Sequence, residues 1–347
     1  MGDFHKLAGE LPRRLLDWYA RSARDLPWRV GPGDRTAGHR PDPYHVWLSE
    51  IMLQQTTIPH ATRYFLAFTD RWPRIEDLAA AEDAEVMAAW AGLGYYARAR
   101  NLLKCAREVA ARGAFPDTVD GLRALPGIGP YTAGAVAALA FDRPAAAVDG
   151  NVERVFSRIL ALKTDWATAK REIADTVSAL VPEDHPGAFA EALMDLGATL
   201  CTPRRPDCAA CPLAALCAAR AEGSPERYPI KPAKRAKPVR RGTAFALLSD
   251  GAVLLERRPE TGLLGGMLAL PTTPWTPDPA PDPGTSAPAT ADWEARGQVR
   301  HVFTHFSLEL DVWRGTPTGP VPDGLWQPIS EAHGLPSVFA KALRLAL

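Results

Sequence analysis

Apolar residues recur at three- and four-residue intervals through most of residues 7–200, then give way to short apolar runs with partial alternation. The first spacing lines one face of a helix and the second one face of a strand. Residues 7–28 predict a helix closing at Leu26-Pro27-Trp28-Arg29; the stretch 30–43 has Gly, Pro and charge without a period and predicts a loop. Pro43–Thr57 is again helical, with Val46, Trp47, Ile51 and Leu53 as core candidates. Three helical patterns are expected between His60 and Gly113, with stops around Pro73 and at Gly92-Leu93-Gly94, and two more between Asp165 and Gly197. Between them lies Leu122–Arg158, where the turn Leu125-Pro126-Gly127-Ile128-Gly129 separates two helices and Asp149 opens a third. Residues 1–225 therefore read as an all-α domain.

Glu226–Arg241 carries seven Lys and Arg, three prolines and no apolar period, and reads as an extended basic linker. Beyond it, Thr243–Leu255 has two apolar runs around Ser249-Asp250-Gly251, the signal of a β-hairpin. His301–Trp313 partly alternates and predicts a third strand region; Pro271–Asp292, with seven prolines, predicts an irregular loop; Ser337–Leu345 predicts a closing helix. The expected architecture is thus α+β and multidomain, with a small α+β domain over 242–347.

A length of 347 residues and a hydrophobic content of 46% suit two filled cores rather than a disordered chain. No apolar run approaches the roughly 18 residues of a membrane span, and the amphipathic N-terminus does not resemble a signal peptide, so a cytoplasmic protein is expected. Formal charge is zero overall, but residues 1–241 hold 33 Lys and Arg against 29 Asp and Glu, while 242–347 hold 7 against 11. The first part is the better polyanion binder.

Three features carry candidate chemistry. Glycines two apart in the 125–129 turn let the backbone fold tightly with amide groups outward, which suits a phosphate, although an ordinary helix hairpin has the same punctuation. Glu50 sits among apolar residues, where an unpaired carboxylate is costly; Tyr95, Tyr96, Arg98 and Arg100 mix aromatic and basic groups suited to nucleic acid. Cys201, Cys208, Cys211 and Cys217 form one cluster, while Cys105 stands alone in a helical run as a small core residue. Four thiolates at such spacing call for a metal centre, and spacing leaves zinc and [4Fe–4S] both open.

Six segments in order, Trp47–Thr56, Gly92–Tyr96, Leu125–Gly129, Val148–Val152, Met194–Gly197 and the cysteine cluster, resemble the MutY family of adenine DNA glycosylases, within the helix–hairpin–helix superfamily that includes endonuclease III. The resemblance covers nearly all of residues 10–220 and extends more weakly into 242–347. It implies a [4Fe–4S] cluster on the four cysteines, and a monomer removing adenine mispaired with 8-oxoguanine or guanine in double-stranded DNA, hence a base-excision-repair enzyme of the nucleoid.

The resemblance also implies roles. Glu50 would be the acid that protonates the base, and Asp149 the carboxylate facing the oxocarbenium sugar, although Asp before a helix is also an ordinary N-cap. Tyr131 and Asn151 would support the sugar end; Trp28, Arg29, Leu53 and Glu191 would line the adenine pocket. Gln55, Thr56 and Tyr95, with Gly127 and Gly129 of the hairpin, would meet the duplex, and Gln55 and Tyr95 would fill or wedge it when the base is flipped out. Phe303-Thr304-His305 would read 8-oxoguanine, with Thr304 where the family often has serine.

Tyr131 stands where lyase-competent relatives carry lysine, which favours a monofunctional glycosylase over the bifunctional alternative. Loop 30–41 is longer than expected beside Trp28-Arg29. The C-terminal part resembles a Nudix fold, yet Gly262–Pro271 is not followed by an acid-rich helix for magnesium, so recognition rather than hydrolysis is expected there. A non-catalytic DNA clamp would lack Glu50 or Asp149, and both are present.

Overall fold

The fold was examined in a computed structural model that describes residues 2–232, 236–259, 262–278 and 283–347. Its contacts divide the chain into two units: Met1–Ala89 with Ala97–Ala233, and Trp90–Tyr96 with Lys234–Leu347.

The first unit is helical: α1 (Gly2–Ser22), α2 (Pro32–Thr36), α3 (Pro43–Met52), α4 (Ile58–Arg71), α5 (Ile75–Ala80), α6 (Asp83–Ala89), α7 (Ala97–Arg112), α8 (Val119–Arg123), α9 (Pro130–Phe141), α10 (Gly150–Ile159), α11 (Trp166–Leu180), α12 (Pro186–Thr199) and the short α13 (Ala218–Ala221). Local chemistry fixes several starts. Asp42 caps α3, accepting from Tyr44 N at 2.8 Å, with Pro43 in the first turn; Asp165 caps α11 in the same way. In the turn before α9, Gly127 has φ 75°, and a Cβ there would lie 2.6 Å from Asn101 Cβ, so the residue must be glycine on both counts. Helix α9 is buried over Thr132–Ala140, where small side chains let α3, α8 and α12 approach.

Several boundaries differ from expectation. The first helix stops at Ser22, leaving Arg24–Arg29 as irregular chain from which Trp28 and the Arg29 side chain turn into the unit's interior. The expected loop 30–43 contains α2, whose Arg35 is buried. Helix α3 ends at Met52 rather than Thr57, and Gln55 takes φ 60° in the following turn. Between His60 and Gly113 an extra break separates α5 from α6, because Ala81 leaves helical geometry.

The second unit is built on a sheet of order β3-β2-β1-β5-β4, with β6 also paired to β2, using β1 (Val239–Ser249), β2 (Ala252–Arg257), β3 (Leu268–Ala269), β4 (Ala291–Val302), β5 (Ser307–Pro317) and β6 (Leu325–Pro328). The β1–β2 turn at Asp250-Gly251 has φ 49° and 75°, the left-handed pair that an Asp-Gly hairpin supplies. Strand β5 alternates as its sequence does, with Leu308, Leu310 and Val312 fully buried. Helix α15 (Ser337–Ala346) lays Val338, Phe339 and Leu343 on that face.

The predicted single strand over 301–313 is in fact the end of β4, a turn at Phe303–Phe306 closed by Phe303 N donating to Phe306 O at 2.8 Å, and the start of β5. The prolines of 271–292 do not keep that segment irregular: Thr272 and Thr276 bridge to β1, a short helix α14 (Pro283–Ser286) forms, and β4 begins at Ala291. Residues 279–282 lie outside the described residues, as do 233–235 of the basic stretch. That stretch is ordered at both ends: Tyr228 is buried, with its hydroxyl donating to Glu222 Oε2 at 2.8 Å, and β1 already begins at Val239.

Candidate active site

A cavity of about 420 Å³ opens between α3, α9, α10, α12 and the chain after α1. Nine residues expected at the site line it: Trp28, Arg29, Glu50, Leu53, Thr56, Tyr131, Asp149, Asn151 and Glu191. Gln55, Tyr95, Gly127 and Gly129 lie outside its lining.

The two central carboxylates have unequal surroundings. Glu50, on the buried face of α3, is 6% exposed and accepts from the Tyr131 hydroxyl at 2.9 Å. Burial pushes its carboxyl up to about 7, the Tyr131 bond opposes this, and the nearby Asp149 adds to it. Burial, then the charges of Glu50 and Asp149, raise the Tyr131 hydroxyl well above its usual range, so it stays a neutral donor. Asp149 is half-buried and does cap α10: Oδ1 accepts from Asn151 N at 2.9 Å and Val152 N at 2.8 Å, and Oδ2 from Asn151 Nδ2 at 2.8 Å. Three donors hold its carboxylate with one side toward the cavity. The cap and the cavity position are compatible in this one residue.

At the other end a buried ionic network surrounds Glu191 and Asp195. Arg29 donates to both Asp195 oxygens at 2.9 and 3.0 Å and lies 3.5 Å from Glu191 Oε1. Burial would lower the Arg29 guanidinium, but Glu191 and Asp195 outweigh it and hold it above its usual range. Tyr19 donates to Glu191 Oε2 at 2.6 Å; Arg24 donates to Asp195 through its backbone N–H and side chain. Tyr19, Arg24, Arg35 and Asp195 were missed by the sequence reading. Only Asp195 had a signal, its place in Met194–Gly197; the others gather around α12 through the fold alone. Arg98 donates to Ile51 O and Gln54 O, pinning the end of α3 that carries Leu53 and Gln55.

The cysteine loop shows whether its residues suit a cluster. All four thiols, Cys201, Cys208, Cys211 and Cys217, line one small cavity. Four thiolates facing one cavity suit a [4Fe–4S] cluster, with each thiolate on its own iron. The fully buried Arg158 supplies positive charge, with Nη1 3.2 Å from Cys201 Sγ and hydrogen-bonded to Cys201 O and Thr202 O. Burial pushes the Cys211 thiol up to about 11, so metal binding has to displace protons.

In the second unit the 303–306 turn is held by an aromatic stack. Phe303 lies 5.8 Å from Trp275, nearly parallel, and 4.9 Å from Phe306, and Lys237 Nζ donates to Phe303 O. Thr304 and His305 are exposed at its tip; the Tyr95 hydroxyl, in the same unit, is 2.9 Å from Thr304 Oγ1. Among the described residues no helix is assigned between β3 and α14.

Both units resemble known proteins. Residues 48–183 match the HhH-GPD superfamily of base excision DNA repair proteins, 201–217 the iron–sulfur binding domain of endonuclease III, and 243–345 a NUDIX domain. A thermostable thymine-DNA glycosylase of known structure shares 29% identity and a TM-score of 0.54, covering 63% of this chain and 98% of its own. Fold and site therefore define a DNA N-glycosylase of the helix–hairpin–helix superfamily carrying a [4Fe–4S] cluster. The adenine DNA glycosylase of Homo sapiens is 34% identical over 385 residues, spanning 92% of this chain and 70% of the human one, and that of Mycolicibacterium smegmatis is 42% identical over 217 residues, spanning 62% and 71%. The chain belongs to the adenine DNA glycosylase family. Among the described residues no helix is long and apolar enough to cross a membrane.

Proposed function

We propose that the protein is a monofunctional glycosylase that hydrolyses the N-glycosidic bond of adenine opposite 8-oxoguanine, and opposite guanine, in duplex DNA. One observation carries this reading: Glu50 and Asp149 line the same cavity, Glu50 buried with its carboxyl pushed up to about 7 and Asp149 held by three N–H donors at the start of α10.

Protonated Glu50 donates to a ring nitrogen of adenine, so the base leaves as a neutral species when the C1′–N bond breaks. Oxocarbenium character then develops at C1′, and the Asp149 carboxylate, held by Asn151 and the start of α10, stabilises it. Water adds at C1′ and its proton passes to a carboxylate, leaving free adenine and an abasic site. Tyr131 keeps the Glu50 carboxyl oriented and offers no amine to attack the sugar. Trp28, Leu53, Arg29 and Glu191 form the adenine pocket. Gln55, Thr56, Tyr95 and the 125–129 hairpin are the duplex contacts, and Phe303, Thr304 and His305 read the 8-oxoguanine. The four thiols of Cys201, Cys208, Cys211 and Cys217 hold the cluster beside Arg158. Residues 1–225 form the glycosylase domain, 226–241 the linker and 242–347 the recognition domain of a chain that acts as a monomer.

Single-turnover reactions on duplexes carrying 8-oxoguanine·A, G·A and 8-oxoguanine·C test the proposal, with borohydride added to trap any Schiff base. Adenine loss from the first two, none from the third, and no trapped adduct are expected. Strand cleavage with trapping would establish a lyase and overturn the monofunctional reading; removal of thymine but not adenine would overturn the substrate.

A further inference from the structure

Arg35 comes from the loop that is long beside Trp28-Arg29, and it is a charged side chain 5% exposed with no place in the reaction described above. Its Nη2 lies 3.3 Å from Glu191 Oε1 and 3.2 Å from Leu139 O, and its Nε donates to Val30 O. Helix α2 delivers it, and Arg40 ties the same loop down through Arg35 O and an ion pair with Asp142. Room for it is reserved on α12: a Cβ at Gly187 would come 3.1 Å from Arg35 Nη1 and 2.5 Å from Ala138 O.

Cations and carboxylates in this network pair unevenly without Arg35. Asp195 has Arg24 to itself and binds both Arg24 and Arg29 at 2.7–3.0 Å. Glu191 is 2% exposed, and its share of Arg29 is the long 3.5 Å contact. Arg35 is therefore the cation Glu191 does not share. A buried carboxylate without its own cation either takes up a proton or draws Arg29 away from Asp195. Either change alters the cavity wall, because Glu191 and Arg29 both line it while Arg35 stands behind them.

We infer that Arg35 is a positioning residue for base selection: it holds the Glu191 carboxylate in place as a hydrogen-bond acceptor and leaves Arg29 fixed as the donor beside it. That pair matches a purine with an exocyclic amine, and disfavours a carbonyl at the same position. The inference rests on the adenine reading proposed above.

The test is equilibrium binding by the full-length, cluster-loaded protein, read on two duplexes opposite 8-oxoguanine. One carries an uncleavable 2′-fluoro adenine nucleotide and the other a tetrahydrofuran abasic site. Arg35→Met should weaken the adenine duplex about tenfold, the scale of one charge-assisted hydrogen bond, and leave the abasic duplex unchanged. Arg35→Lys should recover most of the loss, and in a Glu191→Gln background Arg35→Met should add nothing. Equal weakening on both duplexes would mean that Arg35 only supports the fold; an undiminished effect without Glu191, or no effect on either duplex, would also overturn the inference. If the parent protein, measured also on a control duplex with a 2′-fluoro cytosine nucleotide in place of the adenine one, fails to prefer adenine, the adenine reading itself fails, whatever the variants do.

Discussion

Replacing Tyr131 by Phe should move the alkaline limb of the reaction upward in pH, and the structure fixes the sign. In the proposed mechanism Glu50 acts in its protonated form, so single-turnover excision should be fastest at low pH and fall as pH rises through the Glu50 pKa of about 7. Burial is the largest influence on that value and favours the neutral acid; the Tyr131 hydroxyl at 2.9 Å is the main opposing one, because it donates to the carboxylate. Phe removes that donor and leaves burial and the Asp149 charge opposed by the weaker pull of the Arg29 charge. A hydrogen bond to a charged acceptor contributes about 1.5–3 kcal/mol, and about 1.4 kcal/mol corresponds to one pKa unit. The midpoint should therefore rise by about one to two units. The assay is the single-turnover rate on 8-oxoguanine·A from about pH 5.5 to 9.5, each variant normalised to its own low-pH plateau so that lost packing does not enter. A midpoint that stays put, or moves down, would refute the assignment of Glu50 as the titrating acid with Tyr131 as its partner.

Other outcomes follow from the same residues. Because the folded pKa of Glu50 lies above its ordinary value of 4.5, its burial costs nothing below about pH 4.5; the cost grows to about 3 kcal/mol as pH rises through 7. Glu50→Gln should thus be inactive yet more stable than the parent at pH 8, with the difference fading toward pH 4.5 in urea melts. Asp149→Asn should abolish excision while duplex affinity is kept, and near-parental rates would remove Asp149 from the mechanism. Purified protein should be yellow-brown with about four irons per chain, and stoichiometric zinc without iron after anaerobic preparation would contradict the cluster. Thr304→Ala/His305→Ala should slow 8-oxoguanine·A far more than G·A, by the roughly 0.5–3 kcal/mol of one or two contacts; equal loss on both would point to general DNA binding.

By itself the sequence determined what short-range chemistry dictates. Helical spacing, Gly and Pro punctuation, the Asp-Gly hairpin and the cap at Asp149 depend on neighbours a few residues away, and the helices, that hairpin and that cap form there although several helix ends shift. The ordered segments from Trp47 to the cysteines carried the family with them. Local pattern failed where long-range pairing intervenes: the prolines of 271–292 suggested irregular chain, yet Thr272 and Thr276 bridge to β1, and the hydropathy of 301–313 hid a turn that only the β4–β5 register defines. Tertiary structure alone decided the electrostatics. Glu50 is pushed up to about 7 because packing buries it, with α9 setting Tyr131 against it as the opposing donor, and Glu191 meets Tyr19, Arg29 and Arg35 across sequence separations that no spacing rule reaches. Charge pairing in a low-dielectric interior depends on distance in space, and the chain brings Arg35 within 3.3 Å of a carboxylate 156 residues away only after α2, α9 and α12 have packed.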